Sequence, residues 1–351
     1  MPEAPPPATL SLVVCTYRRP AAIGRLLAAL DHQERVPDEV LIIDASSDTD
    51  TATVVAEHVA RGAGHLRHIV VDTNERGLTR QRNRGIAEAG GAIVAFLDDD
   101  TIPAPDYFAE IERCFTRHPD AAGVGGAIDG AIWRTAPPGS PARRRWYRFD
   151  GWERPDDFRW RLRRAVRLAP DATPGRLPPS GHARPVSFLP PTGKDYPVEF
   201  MMGGASAWRR QVFDRHTFSP FFEGYGLYED LDFCIDVARE EPLYLCTSAM
   251  LRHDHDPDAR PASYRYGRMV VENGWYVWRR RWPVPAGGDR IRWWATTALL
   301  LVTRVGGIRG PRWREAAGEA SGRLVGMVVT APCELSVRYR ARRYGPYARP
   351  R

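Results

Sequence analysis

Cysteine is scarce in this sequence, and long hydrophobic runs are missing from it. The five cysteines are scattered over 351 residues without a Cys-x-x-Cys pair, so neither a zinc ribbon nor a disulfide framework is indicated. The apolar stretch 293–302 is far shorter than the roughly 20 residues of a membrane-spanning helix. Residues 1–8 lack the basic and apolar regions of a signal peptide. We therefore expect a cytoplasmic protein with reduced thiols and a loose leader at residues 1–8.

Acidic residues are sparse in two regions, which segregates the charge along the chain. Residues 143–168 carry 10 basic and 4 acidic side chains, and residues 279–351 carry 16 and 4, although the net charge of the whole chain is only +7. Such basic patches suit anionic surfaces, whether phospholipid, nucleic acid or pyrophosphate. The apolar content of 43% excludes general disorder, so we expect a folded core of enzyme size.

Short apolar runs alternate with helical patterns over the first hundred residues. The runs at 10–15, 39–43, 67–71 and 92–97 predict strands, and the 3.6-residue periodicity between them predicts helices. Strands and helices that alternate with short links predict an α/β fold, in which helices cover a parallel sheet.

The fourth apolar run ends in three consecutive carboxylates, Asp98, Asp99 and Asp100. A buried strand that ends in acids places them at the carboxyl edge of the sheet, where open α/β folds bind ligands. Crowded carboxylates repel one another unless a divalent cation lies among them, and Mg²⁺ or Mn²⁺ held by carboxylates commonly also binds nucleotide phosphates. The pattern predicts a metal-diphosphate site, with a solvated acidic turn as the alternative.

Polar residues follow the first two strands as well, and the strand ends converge on the same edge. Tyr17 could stack on a base, and Arg18 or Arg19 could face phosphate. Asp44 could accept a hydrogen bond from a pyrimidine imide. A turn capped by Asp44, with the serines that follow it, is an equally good interpretation.

Four short motifs together resemble the nucleotide-sugar half of a family 2 glycosyltransferase of the GT-A fold. They are Ser-Leu-Val-Val-Cys-Thr-Tyr-Arg at 11–18, Glu-Val-Leu-Ile-Ile-Asp at 39–44, Gly-Leu-Thr-Arg-Gln-Arg-Asn-Arg-Gly at 77–85 and Phe-Leu-Asp-Asp-Asp at 96–100. The resemblance implies a Rossmann-like, mostly parallel mixed sheet flanked by helices. The residues that it assigns to the nucleotide sugar are Thr16, Tyr17, Arg18, Asp44, Arg82, Asn83, Asp98 and Asp99. It also makes Asp98 and Asp100 the ends of the family's Asp-x-Asp motif, which binds Mn²⁺ or Mg²⁺.

Two later stretches resemble the acceptor side of the same family. Gly203 and Gly204 would let the backbone approach a ligand closely, or they mark a bulge; the resemblance assigns them and Trp208 to the acceptor. We expect a helix over 211–215 after this segment. Glu229 and Asp230 begin a predicted helix, where acids are ordinary because they complement the positive end of the helix. By resemblance, Asp230 is the catalytic base and Glu229 orients the acceptor.

The last predicted strand is the apolar run at 243–246, and two histidines, His253 and His255, follow it. Imidazole is a good third donor for Mn²⁺, and the resemblance implies a histidine ligand downstream of the base. Alternate residues of an extended segment point to opposite sides, so we expect one of the two to reach the metal. We favour His253, which is closer to the strand; two loop histidines without a metal are the alternative.

We expect a catalytic domain at 9–262 and a basic, aromatic-rich helical extension at 263–351. The domain would comprise a nucleotide-sugar half (9–130), a basic insertion rich in proline and arginine (136–196) and an acceptor half (197–262). The insertion could bind sugar rings, lipid headgroups or RNA, or be a semi-ordered loop. Residues 279–351 could contact an anionic membrane peripherally, at the inner face of the cell membrane; a helical extension packed on the domain is the alternative.

The resemblance implies an inverting glycosyltransferase, with a hydroxyl of a cell-envelope, lipid-linked or polysaccharide acceptor as its second substrate. The expected donor is a nucleoside diphosphate sugar linked to UDP or dTDP. The alternatives are a glycosyltransferase of a soluble specialised metabolite and a non-enzymatic protein that binds anions, a membrane or RNA. The acids at Asp98 to Asp100 and at Glu229 and Asp230 argue against a phosphate-binding surface, so no nucleic acid partner is expected.

Overall fold

The computed structural model describes residues 8–62, 64–130, 132–139, 143, 145–222, 224–254 and 261–336. Most of the expected leader, His255 and the end of the expected extension lie outside these residues. The chain forms two compact units. The first comprises residues 1–131 and 186–256, and the second comprises residues 132–185 and 257–351.

Twelve strands and nine α-helices lie in the described part of the chain. The strands are β1 (Leu10–Thr16), β2 (Glu39–Asp44), β3 (Leu66–Val70), β4 (Ile93–Asp98), β5 (Thr101–Pro103), β6 (Gly123–Ile128), β7 (Arg134–Thr135), β8 (Trp146–Phe149), β9 (Trp152–Pro155), β10 (Asp195–Val198), β11 (Ala205–Arg209) and β12 (Leu243–His253). The helices are α1 (Pro20–Leu30), α2 (Asp50–Ala60), α3 (Leu78–Glu88), α4 (Tyr107–Arg117), α5 (Phe158–Ala165), α6 (Glu229–Val237), α7 (Ser263–Arg281), α8 (Gly287–Gly307) and α9 (Trp313–Leu335).

A single mixed sheet forms the centre of the first unit. Its strands run in the order β10-β12-β6-β11-β4-β1-β2-β3, and β5 pairs with β12. β1, β2, β3 and β4 are mutually parallel, as are β6 and β12. β11 runs antiparallel to its neighbours, and β5 and β10 run antiparallel to β12. The expectation of a mostly parallel mixed sheet with helices beside it is confirmed.

The core of this unit follows from strands that are buried along almost their whole length. All residues of β1 and β4 are buried except Cys15 and Asp98, which are half-buried, as expected of parallel strands covered on both faces. α3 packs closely on β1 because Gly85 faces Val13: a Cβ at residue 85 would overlap the valine side chain. This close packing holds the start of α3 near the carboxyl ends of β1 and β2.

Two elements differ in extent from the sequence prediction. The strand predicted at 243–246 continues to His253, because β5 pairs with its last three residues. The helix predicted after Trp208 is a 3₁₀ turn, Arg210–Asp214. The longer β12 carries His253 back to the carboxyl end of β4.

The second unit contains a small sheet and the C-terminal helices. β7, β9 and β8 form a three-stranded antiparallel sheet; β8 and β9 lie in the expected insertion at 136–196, and β7 directly precedes it. Its buried Glu153 pairs with Arg134 and Arg148, and Arg134 stacks on Trp146 at 3.7 Å. Arginines and aromatics of this stretch therefore serve internal packing.

Helices α7 and α9 cross closely in the same unit. A Cβ on Gly267 or Gly322 would overlap the backbone of the opposite helix, so these glycines permit the approach.

None of the helices in the described ranges combines the length and the apolar character required to span a bilayer. The domain boundaries expected from the sequence stay predictions.

Candidate active site

The end of β4, the start of β5 and the end of β12 bring together the acids at 98–100 and the histidine that ends β12. The Thr101 hydroxyl donates to the Asp98 carbonyl at 2.7 Å, and this turn leads into β5. In the pairing of β5 with β12, Thr101 lies opposite His253. His253 thereby reaches Asp100, and the Nε2–Oδ1 distance is 2.9 Å.

Asp98, Asp100 and His253 form a group with the composition of a metal site. One ligand atom from each lies within 4.8 Å of the other two. Asp100 and His253 are largely buried, whereas the Asp98 side chain is 35% exposed. Burial alone would lower the pKa of His253, but its hydrogen bond to Asp100 and the nearby carboxylates raise it. Two carboxylates and one imidazole suit Mn²⁺ or Mg²⁺.

Asp99 points away from this group and holds the end of β1. Its two oxygens accept hydrogen bonds from the Thr16 hydroxyl at 2.7 Å and from the Arg19 guanidinium at 2.6 Å. Burial raises the pKa of Asp99 to about 6, although Arg19 and Thr16 oppose the shift. From the sequence, we expected Arg18 or Arg19 to face phosphate. In the structure, Arg19 contacts Asp99 in the acidic turn.

The remaining residues expected at the nucleobase lie around the ends of β1 and β2. Tyr17 is 40% exposed, and the Arg76 guanidinium stacks on its ring at 4.7 Å. Arg18 is in the left-handed region (φ +55°), and its backbone N–H and guanidinium donate to two serines, Ser46 and Ser47.

Asp44 accepts hydrogen bonds on both carboxylate oxygens. Ser46 N–H donates to Oδ1 at 2.8 Å, and His68 lies 3.0 Å from Oδ2. Burial would raise the pKa of Asp44, but these hydrogen bonds outweigh it and lower the pKa. The turn that the sequence allowed as an alternative therefore forms. The buried Gln81 amide links β1 to β2 by donating to the carbonyls of Thr16 and Ile43.

Arg82 is a buried cation that connects the two acidic motifs. Its guanidinium is ion-paired with Glu229 and lies 3.5 Å from Asp98. Arg82 and Glu229 are 147 positions apart in the chain. The charge of Arg82 offsets the repulsion among carboxylates that come from α6 and from the end of β4.

Gly203 and Gly204 allow these charged groups to approach the backbone. A Cβ on Gly203 would overlap the Arg82 guanidinium, and one on Gly204 would overlap the Asp98 carboxyl group. Gly203 N–H donates to Asp230 Oδ2 at 3.3 Å, and Asp98 N–H donates to the Gly204 carbonyl at 3.2 Å. The two glycines therefore lie between Asp98 and Asp230.

Glu229 and Asp230 start α6 but have different surroundings. Glu229 is buried beside Arg82; burial together with the Asp230 carboxylate raises its pKa, and the Arg82 guanidinium opposes the shift. Asp230 is half-buried, and burial also raises its pKa. A carboxylate with a raised pKa is a stronger base, as proton removal from a hydroxyl requires.

Two of the expected site residues belong to the scaffold. Asn83 pairs with the Phe218 backbone, accepting from its N–H at 3.0 Å and donating to its carbonyl at 2.9 Å. Trp208 is 1% exposed and packs edge-on against Phe233, with ring centroids 4.8 Å apart. Their expected ligand contacts stay predictions.

Sequence reasoning missed three residues of this region: His68, Arg76 and Gln81. His68 lies in the predicted strand 67–71, and the parallel pairing of that strand with β2 could have placed it near Asp44. Gln81 and Arg76 lie in or beside the 77–85 motif, but nothing in that motif predicts their partners.

Comparison with known proteins shows which family and which fold the chain resembles. Residues 11–168 match the family model described as Glycosyl transferase family 2. A relative from Haloferax volcanii, glucosyl-dolichyl phosphate glucuronosyltransferase, is 27% identical over 123 residues, which are 34% of this chain and 38% of the relative. The chain thus spans less than two fifths of that relative's length.

Two solved structures share the GT-A fold with this chain. GalNAc-T7 with UDP, GalNAc and Mn²⁺ gives a TM-score of 0.52 at 15% identity, over 82% of this chain and 53% of the other. Mannosyltransferase PcManGT from Pyrobaculum calidifontis, in complex with GDP-Man and Mn²⁺, gives 0.50 at 17% identity, over 99% and 85%.

Proposed function

We propose that this protein transfers a sugar from a nucleoside diphosphate to an acceptor hydroxyl, with inversion at the anomeric carbon, because residues 11–168 match the model of glycosyl transferase family 2. The observation that carries the proposal is the buried Arg82, which joins Asp98 at the end of β4 to Glu229 at the start of α6. A group suited to a divalent cation and a carboxylate suited to proton transfer thereby occupy one site.

The donor side would be formed by the ends of β1, β2 and β4. Tyr17 and Asp44 would contact the nucleobase, and Asp98, Asp100 and His253 would hold Mn²⁺ or Mg²⁺ against the diphosphate. The cation would neutralise the charge that develops on the leaving diphosphate. UDP or dTDP is the proposed nucleotide.

Asp230 is the proposed general base. As the acceptor oxygen bonds to the anomeric carbon and the bond to the diphosphate breaks, the hydroxyl proton passes to the Asp230 carboxylate. Gly203 N–H and Leu231 N–H hold this carboxylate in place. Glu229, fixed by Arg82, would orient the acceptor next to it. A displacement from the face opposite the leaving group inverts the anomeric centre.

The proposed acceptor is a lipid-linked or polysaccharide hydroxyl, as the name of the archaeal relative suggests. Peripheral contact with an anionic membrane surface would suit such an acceptor, and the basic second unit supports this contact. A soluble metabolite is the second candidate acceptor, and an acceptor screen distinguishes the two.

The test uses Asp230→Asn, which keeps an acceptor oxygen for one of the two backbone hydrogen bonds, from Gly203 N–H or Leu231 N–H, but removes the base. Donors are first screened by slow hydrolysis with the wild type in Mn²⁺. With the donor found, the variant should keep nucleotide-induced thermal stabilisation while kcat falls by about 10²–10⁴-fold. Asp236→Asn, on the same helix, is the matched control. Turnover retained in Asp230→Asn would contradict the assignment of the base.

A further inference from the structure

A second group of metal-binding side chains lies in the first unit, away from the acidic loops. Cys114 and His118 come from the last turn and the end of α4, Asp195 from the edge strand β10, and Cys246 from β12. His253 lies seven positions after Cys246 in β12, a span of roughly 20 Å along an extended strand. The two groups are therefore separate.

The geometry of the group is compact. One ligand atom each from Cys114, His118 and Asp195 lies within 4.8 Å of the other two, and His118 Nε2 is 3.0 Å from Asp195 Oδ2. Cys246 lies beside this group, because it pairs directly with Asp195 across β10 and β12 and its sulfur is 3.8 Å from the Arg117 guanidinium that also contacts Asp195. Four donors thus come from three elements.

Neighbouring residues fix the orientation of the donors. The His118 ring stacks on Tyr244 at 3.9 Å with an interplanar angle of 16°. The Arg117 guanidinium donates to both oxygens of Asp195, at 2.8 and 2.9 Å, and lies 3.8 Å from the Cys246 sulfur. Such second-layer contacts orient ligating side chains in metal sites, and a carboxylate that accepts from arginine keeps lone pairs free for a cation.

We propose that Cys114, His118, Asp195 and Cys246 bind a Zn²⁺ ion in a closed, tetrahedral structural site. Two thiols, an imidazole and a carboxylate form a soft to borderline donor set that favours zinc over Mg²⁺ or Mn²⁺. Zinc bonds of about 2.0–2.3 Å place tetrahedral donors roughly 3.3–3.8 Å apart, so small side-chain movements close the site. Binding releases the thiol protons and ties α4 and the edge strand β10 to β12.

The test is made in the Asp100→Asn background, so that the group at Asp98, Asp100 and His253 does not contribute. Full-length protein, reduced and kept anaerobic, is titrated with Co²⁺ and then with Zn²⁺. We expect a thiolate-to-cobalt charge-transfer band, visible absorption typical of tetrahedral Co²⁺, and displacement of cobalt by one equivalent of Zn²⁺. Cys114→Ser should abolish the charge-transfer intensity of that thiolate and weaken Zn²⁺ affinity by at least about tenfold.

Two further variants make the result specific. His118→Asn should weaken Zn²⁺ binding in the same way while both thiols remain, and Cys333→Ser, which removes a buried thiol of the other unit, should leave the spectrum and affinity unchanged. If no charge-transfer band appears, or if it persists at full strength in Cys114→Ser, the zinc site is rejected. If Cys114 and Cys246 are found joined in a disulfide, and the protein still binds no zinc once that disulfide is reduced, the zinc site is also rejected.

Discussion

Asp98, Asp99 and Asp100 are adjacent in the sequence but make different contacts. Asp98 and Asp100 converge with His253, whereas Asp99 turns to Thr16 and Arg19. The turn between β4 and β5 separates them, because it directs consecutive side chains to opposite sides. The outer two carboxylates thus converge on His253, and the middle one connects the acidic turn to β1.

Loss of Asp100 should remove metal-dependent nucleotide binding. In the wild type, Mn²⁺ and UDP at a hundred times Kd should stabilise the fold by about 2.7 kcal/mol, measured as a rise in Tm. Asp100→Asn should show no Mn²⁺-dependent part of this rise, since a neutral amide is a poor ligand for a hard cation. Asp129→Asn, an exposed carboxylate at the end of β6, should respond like the wild type. Equal Tm shifts in all three proteins would contradict the metal assignment.

At the scale of elements, the sequence predicted most of the first unit. The strands β1 to β4 and the helices between them follow from continuous apolar runs and 3.6-residue periods, and the acids at the end of β4 were placed correctly at a strand end. The pairing of Arg82 with Glu229 was not predictable, because it joins α3 to α6 across 147 positions. Local pattern contains no information about such a partner.

The second unit shows a different limit. The small sheet of β7, β8 and β9 has strands of two to four residues, too short for a period-2 pattern to be recognised. Two buried carboxylates of this region pair with arginines, Glu153 with Arg134 and Arg148, and Asp156 with Arg164 and Arg184. In the sequence these arginines could only be interpreted as a basic patch.

The segment before β10 is joined to α8 by a neutral histidine. The Thr297 hydroxyl donates to the Trp293 carbonyl, so it accepts from His182 Nε2 at 2.9 Å. Burial, together with Arg163, lowers the pKa of His182 to about 3. A histidine in the unfolded chain has a pKa of about 6.5. At a pH between the two pKa values, the unfolded state therefore binds a proton that the folded state does not. The contribution of neutral His182 to the free energy of unfolding is therefore complete above about pH 6.5 and is lost as the pH falls towards 3.

His182→Asn should therefore flatten the acid side of the stability profile. Asparagine tolerates the left-handed backbone at this position (φ +52°) and does not titrate. Between pH 6.5 and 4, urea denaturation should show the free energy of unfolding of the wild type falling faster than that of the variant, by about 1 kcal/mol per pH unit. His32→Asn, which removes an exposed histidine, should keep the wild-type slope. Parallel profiles for wild type and His182→Asn would contradict a neutral His182.

For the molecule as a whole, charge and exposed apolar surface coincide in the second unit. Where α8 leads into α9, Val305 and Trp313 are about half exposed, and Arg309, Arg312 and Arg314 are exposed around them. Aromatic and aliphatic side chains surrounded by arginine suit the interface of an anionic bilayer. The proposed membrane contact can therefore be assigned to this corner, residues 302–314.

Removing two arginines from this corner should weaken membrane binding without truncating a helix. Each basic residue near an anionic surface contributes about 1 kcal/mol, so Arg312→Ser with Arg314→Ser should lower the partition coefficient onto phosphatidylserine vesicles about 30-fold. The decrease should shrink as salt is added, because exposed charges are screened. Arg159→Ser with Arg176→Ser removes the same charge from exposed positions elsewhere in the unit and should have a much smaller effect. Equal losses in the two double variants would mean that net charge alone drives adsorption, and unchanged sedimentation of the first would exclude this corner as the contact.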